Sequence, residues 1–411
     1  MKRIAIIGGG AAGLMAAACV GEGFGGSVVL YEKNPLCGKK LAITGKGRCN
    51  LTNTAPLRDY SDFVPRGERF LRTALYAFSP EDVCRFFEAA GVPLKTERGG
   101  RVFPVSDKAR DVVEALTKKV LSLTAVTLKK EAVLSLEKKD GSFLLGTPSG
   151  KEAFDRVLIA TGGASYPGTG STGDGYRFAT ALGHTVSSPL PSLIPLVIKE
   201  PFCADCMGLS LKNTAIRLET ESGKKVYEDF GEMLFTHFGV SGPTVLSASA
   251  YLDFEKEPRY RLCLDLKPAL SREELDKRLL SDFEENRNRD LVNGLDRLLP
   301  QKLIRPLIAL AQLDERKKIH LITKAERLRL LDTLKRLPLT VTGTRPLKEA
   351  IVTRGGVCLK EIDPRTMESK LVPGLFFAGE VLDADALTGG FNLQIAFSTG
   401  HLAGLHLTEE P

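Results

Sequence analysis

The segment Gly8-Gly9-Gly10-Ala11-Ala12-Gly13 constrains this chain most, because it follows an apolar run at residues 4–7 with no spacer and opens a stretch of small, helix-permitting residues through 20. A buried strand, a tight turn and a helix are the setting a G-x-G-x-x-G fingerprint needs to bind a dinucleotide. Gly8 makes the turn, Gly10 lets the backbone approach a pyrophosphate, and Gly13 lets the helix pack on the strand, with Ala12 in the first helical turn. The helix start then presents free N–H groups and a partial positive charge to phosphates. A second strand over residues 27–31 leads to Glu32, 19 residues beyond Gly13, where a carboxylate is placed to accept the ribose hydroxyls of an adenosine.

The same N-terminus imitates a lipoprotein signal peptide, since Met1-Lys2-Arg3 precedes an uncharged run ending in Ala-Ala-Ala-Cys. Four glycines inside the run, and an acid at dinucleotide spacing beyond it, favour the fingerprint instead. At 411 residues the chain exceeds one hydrophobic core, so two or three domains are expected. It is 43% hydrophobic and 26% charged, which excludes disordered, collagen-like and coiled-coil classes. The net charge of +7 suits anionic small molecules as well as nucleic acid and decides nothing alone. Eight scattered cysteines form no disulfide framework, so a reducing cytoplasm is the expected location, and no stretch has the ~20 apolar residues of a membrane span.

FAD and NAD share the fingerprint, so the choice between them comes from other segments. After Glu32 come Lys33, then Lys39 and Lys40, then Gly45, Arg48, Cys49 and Asn50 in a loop rich in glycine, cations and amides, able to wrap a pyrophosphate and a polar ring. Residues 156–163 read as a buried strand ending in Thr161-Gly162-Gly163, where backbone can press against a cofactor. Gly168-Thr169-Gly170-Ser171-Thr172-Gly173 matches the fingerprint formally but is a decoy, because Pro167 precedes it in place of a strand and no acid stands about 20 residues on. One dinucleotide domain remains, so NAD(P)H would bind elsewhere or visit a flavin transiently. Near the C-terminus, Phe376-Phe377-Ala378-Gly379-Glu380 reads as a strand entering a turn, with Asp383 beyond it, and residues 389–394 open the last helix.

Three blocks, GGGAAGLMAA with GKKLAITGKGRCNLTN, ATGGASYPGTGSTGDGY, and GLFFAGEVLDADALTGGFNLQIAFSTG, together resemble the bacterial NAD(P)/FAD-dependent oxidoreductases of the aminoacetone oxidase or BaiN (YhiN-like) family. These look like distant relatives of fumarate reductase and aspartate oxidase flavoproteins. The resemblance implies an α/β fold: a Rossmann-like, glutathione-reductase-type FAD-binding domain from 1–190 and 346–411, an inserted β-rich domain at 191–268 and an inserted helical domain at 269–345. It also implies FAD contacts at Glu32, Lys33, Lys40, Gly45, Arg48, Thr161, Gly162, Gly379, Asp383, Asn392 and Leu393. Val133, in a strand expected over 132–136, would hold adenine through its backbone. Gly163, Cys49, Asn50, Glu380 and Gly390 stand beside these in the same motifs and join the candidate cofactor residues.

In a flavoenzyme the isoalloxazine carries the redox step, so the protein needs only to position, polarise and exclude water. His237, in Phe-Thr-His-Phe-Gly-Val-Ser-Gly-Pro, is a candidate proton shuttle, though a histidine between aromatics also packs. Arg101 is a candidate carboxylate or phosphate clamp, and Tyr166 a candidate stacking or donating group beside the cofactor turn. No metal-ligand cluster is expected, and Cys203-Ala204-Asp205-Cys206 lacks the second pair a zinc site requires, so it stays unassigned. Residues 271–336 carry 16 Lys or Arg and 12 Asp or Glu with the signs interspersed, which reads as a solvated helical face and not a nucleic-acid footprint. The expected function is FAD-dependent hydride transfer to or from a small organic substrate, foremost NAD(P)H-linked reduction of an activated C=C bond. The alternatives are an oxygen-dependent amine (aminoacetone-type) oxidase and a non-catalytic flavin-bound redox sensor. Expected partners are a small-molecule substrate only, without nucleic acid or membrane, on a monomer or weak homo-oligomer.

Overall fold

The N-terminal apolar run forms the strand Arg3–Ile7, buried from Ile4 onward, and the fingerprint leads directly into the helix Ala11–Ala18. These features come from a computed structural model, which describes residues 1–20 and 24–409. The chain divides into two units, Met1–Ser192 with Pro346–Pro411, and Leu193–Arg345.

In the first unit five strands form one parallel sheet in the order Leu375–Phe377, Arg156–Ile159, Arg3–Ile7, Ser27–Tyr31 and Val126–Lys129. Strands covered on both faces have to be apolar throughout, which is why Val157, Leu158 and Ile159 are all fully buried. An antiparallel meander, Ser135–Lys139, Ser142–Thr147 and Gly150–Phe154, links the Val126–Lys129 edge to the strand Arg156–Ile159. The meander begins at Ser135, so Val133 lies just before a strand and not inside one; its side chain is buried with Leu136 and Phe143.

The last helix, Phe391–Thr408, packs on the fingerprint helix through small residues. A Cβ on Gly400 would stand 2.4 Å from the Ala12 carbonyl oxygen, and one on Gly404 would stand 2.5 Å from that of Ala16. Each pair is one helical turn from the next, so the backbones approach along a continuous seam. Polar groups buried in this helix are all used: Gln394 Nε2 donates to the Phe78 carbonyl at 2.9 Å, the Ser398 hydroxyl to the same oxygen at 2.7 Å, and the Thr52 hydroxyl to Gln394 Oε1 at 2.5 Å.

The second unit is a closed six-stranded antiparallel barrel with helices packed on it. Its last strand, Leu337–Thr344, pairs with Tyr260–Asp265 and Leu196–Ile198 and so closes the barrel from within the segment 269–345 expected to be helical. Barrel residues Leu218, Leu262 and Leu339 share one apolar cluster with helix residues Leu275, Leu303 and Leu330. The expected division at 268/269 thus falls inside a single hydrophobic core.

His184 lies in the first unit with its side chain wholly buried; Nδ1 faces Glu361 Oε2 at 3.0 Å and Nε2 faces Ser369 Oγ at 2.8 Å. This Ser-His-Glu line is a structural tie, because the Ser369 oxygen already accepts from the Leu371 and Val372 N–H groups at 3.0 and 2.8 Å and has no lone pair left for attack. Burial lowers the pKa of His184 and of His401 below the ordinary imidazole value of 6.5.

Two outcomes follow from this packing. Gly400→Val should cost about 3 kcal/mol or prevent folding, read by urea unfolding of the apoprotein, because the new side chain meets backbone that cannot move aside. Below about pH 6.5 the unfolded chain takes up protons that His184 and His401 refuse in the folded state, so these groups make stability fall as pH drops from about 7 to 5. His184→Gln should flatten that part of the urea-midpoint profile.

Candidate cofactor site

The fingerprint glycines divide into structural and open positions. A Cβ on Gly13 would lie 1.9 Å from the Gly8 carbonyl oxygen, and one on Gly8, at φ +110°, would lie 2.5 Å from that of Ala160. These two positions hold helix and strand together. Gly10 has nothing within 4 Å of where its Cβ would be, and it starts a helix that no side chain caps. The open space and the free helical N–H groups face the same region.

Glu32 is buried at the end of its strand. Its Oε2 accepts from the Gly9 N–H at 2.9 Å, and its Oε1 accepts from the Asn34 N–H and Nδ2, both at 2.7 Å. The carboxylate is thereby fixed against the fingerprint. Lys33 points elsewhere: its ammonium meets Thr172 Oγ1 and Asp174 Oδ2, each at 2.6 Å, so the decoy loop serves as a tie for the second strand.

Segments from the far end of the chain close around the fingerprint. Gly379, at φ +77°, lies so near the fingerprint helix that its Cβ would stand 2.8 Å from that of Ala12. Gly390, at φ +105°, starts the last helix, again without a side-chain cap, and its Cβ would lie 3.0 Å from Asn50 Oδ1. Lys40 Nζ reaches Glu380 Oε2 at 2.6 Å and Ser165 Oγ at 2.7 Å, while Glu380 Oε1 accepts from the Thr353 N–H at 2.8 Å and from Ser165 at 3.1 Å. Gly163 packs against this cluster, its Cβ falling 3.0 Å from Glu380 Oε1. Glycine loops at 8–13, 161–163, 379 and 390 and the segment 40–50 therefore converge.

Other candidates are positioned differently. Gly45 lies at a kink in the helix Lys39–Gly47, with φ +57°. Arg48 is committed to Glu97 and, at 2.6 Å, Asp107, and lies over the Phe103 ring at 4.2 Å. Arg101 borders the same ion cluster, 3.8 Å from Glu97. Cys49 is fully buried, and burial pushes its thiol up to about 12, so it stays protonated. Asp383 accepts from the Ser187 hydroxyl at 2.8 Å. The Asn392 side chain turns back to Ala386, accepting its N–H at 2.9 Å and donating to its carbonyl at 2.7 Å, which leaves the backbone for any ligand. Leu393 is partly buried against the main core. Tyr166 is exposed at φ +50° beside the Gly162–Gly163 turn, a left-handed conformation uncommon for an aromatic residue. His237 belongs to the second unit, exposed in the turn between strands Lys225–Thr236 and Gly239–Ser241, edge-on to Phe238.

Cys203 and Cys206 are buried free thiols, raised by burial to about 12 and about 11. Among the described residues no group of three or more His, Cys, Asp or Glu could hold a metal, and no helix is long and apolar enough to cross a membrane. Asp385, absent from the sequence-based candidates, is a buried carboxylate gripped by Arg66 at 2.5 and 2.7 Å and by Ser192 at 2.6 Å. It anchors the loop between Gly379 and Gly390.

The residues present fit FAD. Gly10 leaves room for a pyrophosphate, Glu32 is fixed at the strand end where the sequence expects a ribose contact, and Asn50 Oδ1 and Thr161 Oγ1 are buried polar atoms without protein partners on the surrounding loops. Buried polar groups are paired more than 90% of the time, so orphans gathered at a glycine-lined cradle mark where a ligand completes them. A parallel sheet with this cradle at its carboxyl ends, finished by loops from both chain ends, is the architecture of a Rossmann-type, FAD-dependent oxidoreductase.

Within that class the chain belongs to the family described as the HI0933-like protein Rossmann domain, which it matches over residues 2–406. It is 33% identical to the 3-dehydro-bile acid delta(4,6)-reductase of Clostridium scindens, with 100% of each chain covered. It is 32% identical to the ribosomal RNA dihydrouridine synthase of Haemophilus influenzae, over 98% of each, and 30% identical to that of Escherichia coli, over 96% of this chain and 95% of the relative.

The contrast between open and structural glycines is testable. Gly10→Val should change apoprotein stability by about 1 kcal/mol or less, the scale of an N-cap exchange, while weakening FAD binding at least ~100-fold by filling the pyrophosphate approach. Gly13→Val should prevent folding. Urea unfolding and FAD fluorescence titration read the two effects separately.

Proposed function

We propose that the chain reduces a carbon–carbon double bond conjugated to a carbonyl, with NAD(P)H as the source of reducing equivalents. The observation that carries this reading is that the relatives' names, different in substrate, describe one reaction type over essentially the whole chain. A 3-dehydro-delta(4,6) steroid is a conjugated dienone. Dihydrouridine is uridine with its ring double bond, conjugated to a carbonyl, reduced. Both names describe reduction and neither describes amine oxidation, which supports this reading over the amine oxidase and sensor readings.

When bound and reduced, FAD supplies a hydride for the electron-poor carbon of such a bond. The chain's own residues hold the surroundings. The uncapped helix starts at Gly10 and Gly390 bring partial positive charge to the cradle, and Lys40 is held there by Glu380 and Ser165. The second carbon needs a proton, and Tyr166, exposed beside the Gly162–Gly163 turn, is the proposed donor in the first unit. His237 and Arg101 stand as further candidates, Arg101 behind its ion pair with Glu97.

A second reading concerns the substrate. Two of the three relatives named above act by name on ribosomal RNA, and the net charge of +7 is compatible with a polyanion without selecting it. This departs from the expectation that nucleic acid plays no part, and makes a uracil ring in RNA the alternative to a free steroid-like enone.

Anaerobic titration with NADPH and NADH, followed by flavin absorbance, tests the reaction. The expected result is rapid bleaching by one nicotinamide and recovery of colour on adding a 3-keto-Δ4 steroid or ribosomal RNA lacking dihydrouridine. Recovery with only one of the two identifies the substrate class. Failure of both nicotinamides to bleach a flavin-loaded protein contradicts the proposal, as does bleaching that neither substrate reverses.

A further inference from the structure

The positive charge of the chain is concentrated in one place. Segments 45–48 and 94–108 hold six cations, Lys46, Arg48, Lys95, Arg98, Arg101 and Lys108, against two carboxylates, Glu97 and Asp107, a local excess of four. Strands Leu94–Glu97 and Arg101–Pro104 form an antiparallel hairpin, and the short strand Thr52–Asn53 pairs with its second arm. Arg48 reaches from the end of the helix Lys39–Gly47 to Glu97 and, at 2.6 Å, to Asp107, while Lys95 meets the second Asp107 oxygen at 2.7 Å. Both carboxylates are therefore used inside the cluster. Lys46, Arg98 and Lys108 are exposed and form no ion pair with any described residue. Arg101 is 44% exposed and 3.8 Å from Glu97, beyond hydrogen-bond reach.

The tip of this hairpin adjoins the cradle. Gly99 and Gly100 take φ +78° and +73°, left-handed conformations that keep the three-residue turn tight and that glycine adopts without strain. Asn53 Nδ2 donates to the Gly99 carbonyl at 2.9 Å and to the Gly389 carbonyl at 3.0 Å, so one side chain ties the tip to the residue before Gly390, where the last helix starts. A Cβ on Gly100 would stand 2.7 Å from Asn53 Oδ1, so a larger residue would push the tip away. Arg98 and Arg101, on either side of the two glycines, are thereby held at the edge of the cradle.

We infer that this tip, with Lys46, binds phosphates of an RNA strand, those flanking a uracil that is reduced at the cradle. A substrate with a single carboxylate needs one guanidinium. An excess of four positive charges over two adjoining segments matches a row of phosphates instead, and the planar fork of arginine takes a phosphate through two hydrogen bonds. Glu97 and Asp107 are positioning residues: through Arg48 and Lys95 they hold the hairpin to the 45–48 segment and leave the unpaired cations to the ligand. Two relatives that act by name on ribosomal RNA fit the same charge. The inference rests on the reading of the chain as a reductase of a uracil in RNA, and adds to it where the strand is held.

The test uses flavin-loaded protein and ribosomal RNA lacking dihydrouridine, measuring RNA retention across a salt series and reoxidation of the reduced flavin by the same RNA. Lys46→Ala with Arg98→Ala removes two cations outside the ion pairs. Lys139→Ala with Lys151→Ala removes two exposed cations from the meander of the same unit. The first pair is expected to weaken RNA binding at least ~10-fold at physiological salt and to make the slope of log K against log salt shallower by about 1.4, two single-strand phosphate contacts. The RNA concentration that half-saturates reoxidation should rise with the limiting rate unchanged, and the meander pair should alter none of these. An equal effect in both double variants overturns the inference, since any lost charge then counts alike, and so does unchanged RNA affinity in the Lys46/Arg98 variant. Loss of bound flavin in that variant also overturns it, assigning the cations to the cofactor. A wild-type protein reoxidised by a 3-keto-Δ4 steroid and not by ribosomal RNA overturns the RNA reading beneath the inference while leaving the reductase reading in place.

Discussion

The close approach of the first and last helices is the constraint on which the site depends. Gly400 and Gly404 lie against the Ala12 and Ala16 backbone, and any larger residue on either side would separate them. That seam fixes the start of the last helix, and with it Gly390 and the Gly379 turn, relative to the N-terminal fingerprint. Two uncapped helix starts thereby serve one cradle, although one helix begins at Ala11 and the other at Phe391. The buried hydrogen bonds of Gln394 and Ser398 to Phe78 fix the helix's rotation, which apolar packing alone would leave loosely specified.

The charges around the cradle are arranged in opposition. The side formed by the fingerprint is built from backbone N–H groups and glycine, with Glu32 held by Gly9 and Asn34. Its other side carries Glu380 and Asp383, kept in place by Lys40, Ser165, Thr353 and Ser187. Asp385 has another role, since it is buried and clamped by Arg66 and Ser192 and so anchors the loop. A buried carboxylate so paired contributes specificity of conformation more than net stability.

What was legible in the sequence is what depends on neighbours along the chain. The strand ending at Tyr31, the turn at Gly8 and the acid at Glu32 follow from spacing, and the structure shows the strand Ser27–Tyr31 over the residues read for it. Interactions between distant residues were not legible. Arg66 and Asp385 are 319 positions apart, and His184 and Ser369 are 185 apart; neither pair leaves a local pattern. The strand Leu337–Thr344 follows highly charged helices, and a helical reading of 269–345 passes over it because only its partners across the barrel reveal its role. Arg48, which the resemblance counts among the FAD contacts, is paired with Glu97 and Asp107, two partners about 50 and 60 residues further along that its glycine-rich loop does not announce.

The central claim is that segments from both ends of the chain form one flavin site. Amide hydrogen exchange of the apoprotein with and without FAD tests it most directly. The account predicts that FAD slows exchange together, and with one concentration dependence, in residues 8–14, 161–176 and 379–394. Protection confined to the N-terminal fingerprint, with the C-terminal segment exchanging as in the apoprotein, would contradict it.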